Sequence, residues 1–543
     1  MGPATGGAGV LRWIFALLLA TLLPAQELRL QVLATTDTHG HVLPVDSYSL
    51  KPEAKGWARL ATLIRERKAA NPNTILIDSG DTLQGEPINY VRARVHPDLP
   101  EPSVAVMNDL GFTAMALGNH DFDWGLEVLR GIEKEARFPF LSANTVTAKD
   151  GRPAFPPFRK LEVGGVTVVI LGLTTPAVPR FVEPALIAGL NFLDPVETAR
   201  TWVPRLRREA DVVVVSIHTG LGSLPCQPGD GNCALRLADE IPGIDLLLAG
   251  HTHEAVRTAH KGVPILQAEF NGTVLGQAEL HLLKQDGRWR IQTVKTELLR
   301  PTADTAPDPR VLELTEALRR RTDAYLDTFA TTLLTDLDCR WARIEDSPAM
   351  QLIHSVQREA TGAQLSAASV PMPRIFIPRG PTSVRQFWPL MTYENRLARI
   401  RISGAQLKAY LEHAASSFRF SYEAELFDRK VPFYNVDTVD GCSYVLDLGK
   451  PVGARVAKLA FQGQPVRPDQ SFTFALNTYR LFGGGGYMKA IGFSGEPEMT
   501  TPEGLRNLIL RRVLARPELG IQPGSGWRTV PYLDRARVAK ELQ

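Results

Sequence analysis

Five short runs rich in aspartate, histidine, asparagine and glycine stand out from an otherwise ordinary sequence. They are Thr36-Asp-Thr-His-Gly-His41, Asp78-Ser-Gly-Asp-Thr82, Leu117-Gly-Asn-His-Asp-Phe-Asp123, Ser216-Ile-His-Thr219 and Ala249-Gly-His-Thr-His253. Carboxylate oxygen and imidazole nitrogen together suit borderline metals such as Mn, Fe, Zn or Co better than calcium or magnesium. One aspartate can lend an oxygen to each of two ions, and Asp81 is placed to be that bridge. Asp37, His39 and His253 then complete one site, and Asn119, His218 and His251 the other. Two ions held about 3.5–4 Å apart lower the pKa of a water between them and clamp both oxygens of an in-line displacement at phosphorus. Taken singly, each run is weak: a lone histidine such as His218 is more often structural, and Asp78 and His41 suit hydrogen-bonding or turn roles. The ordered set carries the argument.

Four of the runs end stretches that read as strands, and the third, Leu117–Asp123, ends a further apolar segment. Apolar, β-branched segments predict strands at Leu28–Thr35, Thr74–Asp78, Val166–Leu173, Val212–Ile217 and Leu246–Ala249. Helical spacing predicts helices at Trp57–Ala69, Leu126–Arg137, Pro195–Glu209 and Ala234–Glu240. Nearly continuous apolar runs such as Asp211-Val-Val-Val-Val-Ser216 suit strands covered on both faces, hence a layered α/β domain. The carboxyl ends of parallel strands are where such sheets place ligands.

At 543 residues and 59.7 kDa the chain has room for two to four domains of about 150 residues. Its 44% hydrophobic and 22% charged content excludes a largely disordered or fibrous chain. Lys and Arg number 61 against 58 acids, interspersed with them, which argues against a nucleic-acid polymer as partner. The leader, with Arg12, the apolar run Trp13–Leu23 and Pro24, reads as a signal peptide cut near Ala25–Glu27. That run is too short to span a bilayer, so no membrane anchor is expected and the protein should be periplasmic or secreted. The leader has no paired arginines and no cysteine precedes Cys226, which argues against twin-arginine export and lipoprotein anchoring. Cys226 and Cys233 flank a turn-rich loop and are expected to form a disulfide. The expected organisation is a signal peptide over 1–26, a metal-bearing domain over 27–300, a Pro-rich linker with a connecting helix at Arg310–Ala330, and a second domain over 331–543. A monomer is expected.

Asp-x-His, Gly-Asp, Gly-Asn-His-Asp, a lone His and Gly-His-x-His, in this order, resemble the calcineurin-like metallophosphoesterases. Gly-Asn-His-Asp-Phe-Asp followed by a second domain is similar to the exported 5′-nucleotidase family, which includes the 2′,3′-cyclic-nucleotide 2′-phosphodiesterases that are also 3′-nucleotidases. The resemblance implies a four-layer αββα sandwich joined by a helix to a second α/β substrate-binding domain. It implies two divalent metal ions on the ligands named above, and a catalytic pair in which Asp123 orients His120 beside the transferring phosphate. It also implies that Tyr434 and Phe482, from the segments Val431–Gly441 and Ala475–Tyr487, sandwich the base of a small nucleotide substrate. Every base has a π-face, so stacking suits a base-tolerant grip. Tyr434-Asn435 and Asp440-Gly441 look closer to the cyclic phosphodiesterase branch. A 5′-nucleotidase or UDP-sugar hydrolase is the alternative, with a thiosulfohydrolase-like enzyme or a silent nucleotide-binding module more distant. Arg374, Arg379, Arg385, Arg396 and Arg399 could contact phosphate or ribose, or line a solvated face.

Overall fold

A computed structural model describes Gly2 and residues 26–225, 231–419, 425–524 and 526–541. The leader and Cys226 fall outside the described residues, and with them the expected signal peptide and disulfide.

Two six-stranded sheets are stacked face to face in the first half of the chain. In one, the strand Glu27–Thr35 pairs in parallel with Thr74–Asp78, which leads on to Ala114–Ala116 and Phe140–Leu141. Its other edge is covered by the antiparallel hairpin Leu275–Gln285 and Arg288–Leu299. In the second sheet Val166–Thr174, Val212–His218, Leu246–Ala249 and Val263–Ala268 run parallel, edged by Phe158–Val163 and Ala255–His260. All five expected strands are present, each within a residue of its predicted ends.

The near-continuous apolar runs follow from the layering. Side chains alternate across a strand, and here both faces are covered. Leu30, Val32, Ile75 and Ile77 meet Val168, Ile170, Val212, Val214 and Leu248 between the sheets. The opposite face of the first sheet, with Leu33, Leu76 and Met115, packs on the helices Trp57–Ala70, Pro102–Leu110 and Leu126–Glu135. Val169, Leu171, Val215 and Leu247 pack on Pro195–Arg207 and Ala234–Glu240. The fold is thus the four-layer αββα sandwich that the resemblance implied.

The connecting helix spans Pro309–Leu326, shorter than the expected Arg310–Ala330. Asp308 caps its start by accepting from the N–H groups of Arg310 and Val311. It stops at Asp327 because the β-branched stretch Phe329–Leu333 is drawn into a strand between Gly380–Ser383 and Glu518–Leu519. Val311 and Leu318 pack into the first core, whereas Leu326 packs into a core of the second half. There a five-stranded sheet runs Thr438–Asp440, Leu365–Ala368, Ser471–Asn477, Arg396–Ser403, Met499–Gly504, flanked by the helices Pro348–Thr361 and Gly404–Ala415. Among the described residues no helix is long and apolar enough to cross a membrane.

One glycine ties the sandwich to its loops. Gly80 has φ +92, and a Cβ there would lie 2.3 Å from the backbone nitrogen of Gly118. Strain and clash together should make Gly80→Ala destabilising by about 2–4 kcal/mol. Urea unfolding of the metal-free protein measures this, and a loss below about 0.5 kcal/mol would show that the two loops can separate at little cost.

Candidate active site

The runs singled out above end the strands Glu27–Thr35, Thr74–Asp78, Ala114–Ala116, Val212–His218 and Leu246–Ala249, and the structure brings them together at one edge of the sandwich. The loops are laced by backbone bonds: Asp37 N–H donates to Gly80 O at 2.8 Å, His39 N–H to Asp81 O at 2.9 Å and Gly250 N–H to Thr219 O at 3.1 Å. Asp37, His39, Asp81, His251 and His253 all have left-handed φ, between 47 and 77°, five of the eleven such non-glycine residues among those described. Each such backbone costs on the order of 1–3 kcal/mol and persists only where the surroundings over-determine it, typically at functional sites.

The side chains converge in two groups, Asp37 with His39 and His253, and Asp81 with His218 and His251. His39 donates from Nδ1 to Gln84 O at 2.9 Å, which turns Nε2 inward to within 3.0 Å of His253 Nε2. His218 donates from Nδ1 to Ser79 O at 2.7 Å, and its Nε2 lies 3.0 Å from Asp81 Oδ2. One oxygen of Asp37 accepts from the Thr36 hydroxyl at 2.6 Å and the His251 N–H at 2.9 Å, and Oδ1 faces His253 Nε2 at 3.4 Å. Asn119 is fully buried, and neither its Oδ1 nor its Nδ2 has a hydrogen-bond partner. An orphaned buried amide, ring nitrogens converging on one another, and carbonyls that fix the histidine tautomers suit divalent cations between the groups.

Burial and charge sort the protonation states. Burial, with the charge of His253, pushes His39 down to about 4, and burial with His218 pushes His251 down to about 3, so both rings are neutral with a lone pair to give. Burial would also lower His218, but Asp81 and Asp37 overcome it and raise that ring to about 10. Burial would raise Asp37 and Asp81, yet His218 beside them holds both carboxyls below their ordinary value.

His120 donates from Nδ1 to Asp123 Oδ2 at 2.8 Å, and its backbone N–H donates to Asp81 Oδ1 at 2.7 Å. Burial opposes its charge, but Asp123 and Asp81 raise it to about 9. His120, Asp123, Asp81, His251 and His253 line a cleft of about 910 Å³ between the two halves of the chain. Tyr434 and Tyr479 also line it, in edge-on contact with ring centroids 6.4 Å apart at 68°. Phe482 is not among the lining residues. Asn477 caps a short helix, Thr478–Leu481, by accepting the N–H of Arg480, and this turn presents Tyr479 to the cleft and leaves Phe482 at the helix end.

Besides Tyr479, sequence reasoning missed three contributors. Asp121, within the third run, accepts the N–H groups of Asp81, Thr82, Leu83 and Gly118 at 2.8–3.0 Å and so binds two ligand loops together. Tyr393 lies over His120, ring centroids 5.5 Å apart at 26°. Arg480, buried beneath the tyrosines, pairs with Asp437 at 2.7 Å and donates to Asn435 Oδ1 at 2.9 Å. Asp78 and His41 take supporting roles: Asp78 accepts from Thr35 and Thr82, and His41 pairs with Glu86. Of the arginine cluster, Arg385 reaches Asp323 and Asp327, Arg396 reaches Glu183, and Arg399 reaches Glu498; none of the five lines the cleft.

Residues 30–255 match the family model for calcineurin-like phosphoesterase, and residues 324–491 match that for 5′-nucleotidase, C-terminal domain. Fold and site thus define a metallophosphoesterase, a hydrolase of phosphoester bonds that uses divalent metal ions. The chain belongs to the family that joins such a domain to a 5′-nucleotidase C-terminal domain. It is 28% identical over 535 residues to the 2′,3′-cyclic-nucleotide 2′-phosphodiesterase/3′-nucleotidase of Haemophilus influenzae, covering 84% of this chain and 80% of that one. It is also 28% identical over 531 residues to a trifunctional nucleotide phosphoesterase protein of Bacillus subtilis, covering 85% of this chain but 36% of that longer protein. A crystal structure from Staphylococcus aureus, described as a 5′-nucleotidase, superposes with a TM-score of 0.80 at 24% identity, over 92% of this chain and 99% of that one.

The raised imidazoles fix a pH dependence for the metal-free protein. His218 at about 10 and His120 at about 9 lie above the ordinary imidazole value of about 6.5. Their stabilisation is complete below that ordinary value and is lost as pH rises through the folded values. The Tm of chelator-treated protein should therefore fall from about pH 7 to about pH 10, and metal uptake near pH 7 should release protons. A Tm that rises over that interval would contradict the assignment.

Proposed function

We propose that this protein is an exported hydrolase of nucleotide phosphoesters that opens 2′,3′-cyclic nucleotides and removes the 3′-phosphate. The observation that carries this reading is the composition of one cleft. Residues of both metal-ligating groups and the His120–Asp123 pair line it together with Tyr434 and Tyr479.

Asp37, His39, Asp81 and His253 would hold one divalent cation, and Asp81, Asn119, His218 and His251 the second; the mixed oxygen and nitrogen donors suit Mn, Fe, Zn or Co. Bound there, such cations supply a nucleophile at neutral pH and charge stabilisation at phosphorus. Asp123 fixes His120 so that Nδ1 is the occupied nitrogen, leaving the Nε2 proton for a phosphoryl or leaving-group oxygen. Tyr434 and Tyr479 offer faces to the base, and the Arg480–Asp437 pair holds the loop from which Tyr434 projects. The apolar leader at Trp13–Leu23 supports export to a periplasm or beyond the cell.

Reconstituted with Mn, Co or Zn, the mature chain should open 2′,3′-cyclic AMP and release phosphate from 3′-AMP. His120→Ala should lower kcat by about 10²–10⁴-fold. Turnover confined to 5′-AMP or a nucleotide sugar would keep the metal site and move the chain to the other branch. Tyr479→Ala should raise KM about tenfold through loss of a stacking face, whereas Phe482→Ala should stay within about twofold. The reverse order would restore Phe482 to the base site.

A further inference from the structure

The metal-ligating groups and the tyrosines that line the cleft belong to different halves of the chain, so turnover depends on their register. The metal-ligating groups and His120 sit on strand ends of the first half, and Tyr434 and Tyr479 on the second. Bonds beside the connecting helix join the halves: Arg385 donates to Ser47 O at 2.7 Å, and the Tyr90 hydroxyl to Asn507 Oδ1 at 3.2 Å. At the cleft, one short segment from each half adds a further pair of contacts.

Arg396 Nη1 lies 2.9 Å from Glu183 Oε1, with side chains 32% and 15% exposed. Burial pushes the Glu183 carboxyl up and the Arg396 charge pulls it back. Arg396 opens the strand Arg396–Ser403, which is hydrogen-bonded on both edges and gives the guanidinium a rigid base. Glu183 directly precedes the tight turn Pro184–Ile187. The same segments supply two ring contacts across the divide: Phe181 stacks on Tyr479 at 6.2 Å and 30°, and Tyr393 on His120 at 5.5 Å and 26°. The ion pair therefore closes a short circuit of contacts that runs from the base-facing tyrosine to His120.

We propose that Glu183 and Arg396 are positioning residues whose ion pair holds the second domain's tyrosines in register with the metal-ligating groups, setting nucleotide turnover without touching the reacting atoms. The proposal rests on the nucleotide reading above. Misplacement by about 1 Å far from the chemistry can cost about 10²-fold in rate, so a half-buried pair at this point has leverage that an ordinary surface pair lacks.

The test uses the full metal-loaded chain and four proteins: wild type, Glu183→Gln, Arg396→Gln and the charge swap Glu183→Arg with Arg396→Glu. Each is assayed on 3′-AMP and on p-nitrophenyl phosphate, an ester without a nucleoside for the tyrosines to hold. Each single change should lower kcat/KM on 3′-AMP about tenfold, the swap should recover it to within about threefold, and the aryl ester should stay within about twofold throughout. The proposal is overturned if the single changes leave 3′-AMP untouched, if both substrates fall in parallel, or if the swap fails to recover a loss. A wild type that hydrolyses the aryl ester and no nucleotide overturns the nucleotide reading, and this proposal with it.

Discussion

Asp37 and Asp81 are carboxylates held almost wholly out of water at adjoining strand ends, and the rest of the first domain is organised around that fact. Removing such a group from solvent costs several kcal/mol unless positive charge and donors replace the water. In the metal-free molecule the replacement is His218, protonated between the two carboxylates, with the Thr36 hydroxyl and backbone N–H groups. Divalent cations would replace that proton with far more charge. The strained left-handed backbones are the structural counterpart, since they turn short side chains toward a common point that ordinary strand geometry would not reach. A rigid sandwich with four fully packed layers is what can hold that strain.

The second domain answers a different demand. Its cleft-facing surface is built on two short helical turns, Phe433–Asn435 and Thr478–Leu481. Arg480 and Asp437 supply its rigidity. The guanidinium is buried, paired through both ends of the carboxylate, and bonded to Asn435, while the Tyr410 hydroxyl donates to the same carboxylate at 2.5 Å. Tyrosine faces for a ligand are thus carried on irregular backbone that a buried ion pair has made stiff.

How much of this was legible in the sequence depends on the range of the interaction. Strands came through because continuous apolar runs such as Val212–Val215 have one reading when both faces are covered. The metal-ligating groups came through because their residue types and order are unusual together. Asp121 did not, although it sits beside His120, because its partners Thr82 and Leu83 are 39 and 38 residues away and are bonded through backbone N–H groups that leave no side-chain signal. Phe482 was named through the family resemblance, while the Asn477 cap, a local signal three residues before Arg480, sets the short turn that brings Tyr479 to the cleft. The connecting helix ended early for a related reason: Phe329–Leu333 can continue a helix on spacing alone, and its strand partners lie far along the chain.

The most direct test of the account is the metal content of the chain, measured by titrating Mn or Zn into chelator-treated protein and counting bound ions after gel filtration. The arrangement of Asp37, Asp81, Asn119 and the four histidines predicts two ions per chain, and the proposed sharing of Asp81 between them predicts weak binding of both in Asp81→Asn. One ion per chain in the wild type, or two that survive the loss of Asp81 undiminished, would contradict a site built on a bridging aspartate.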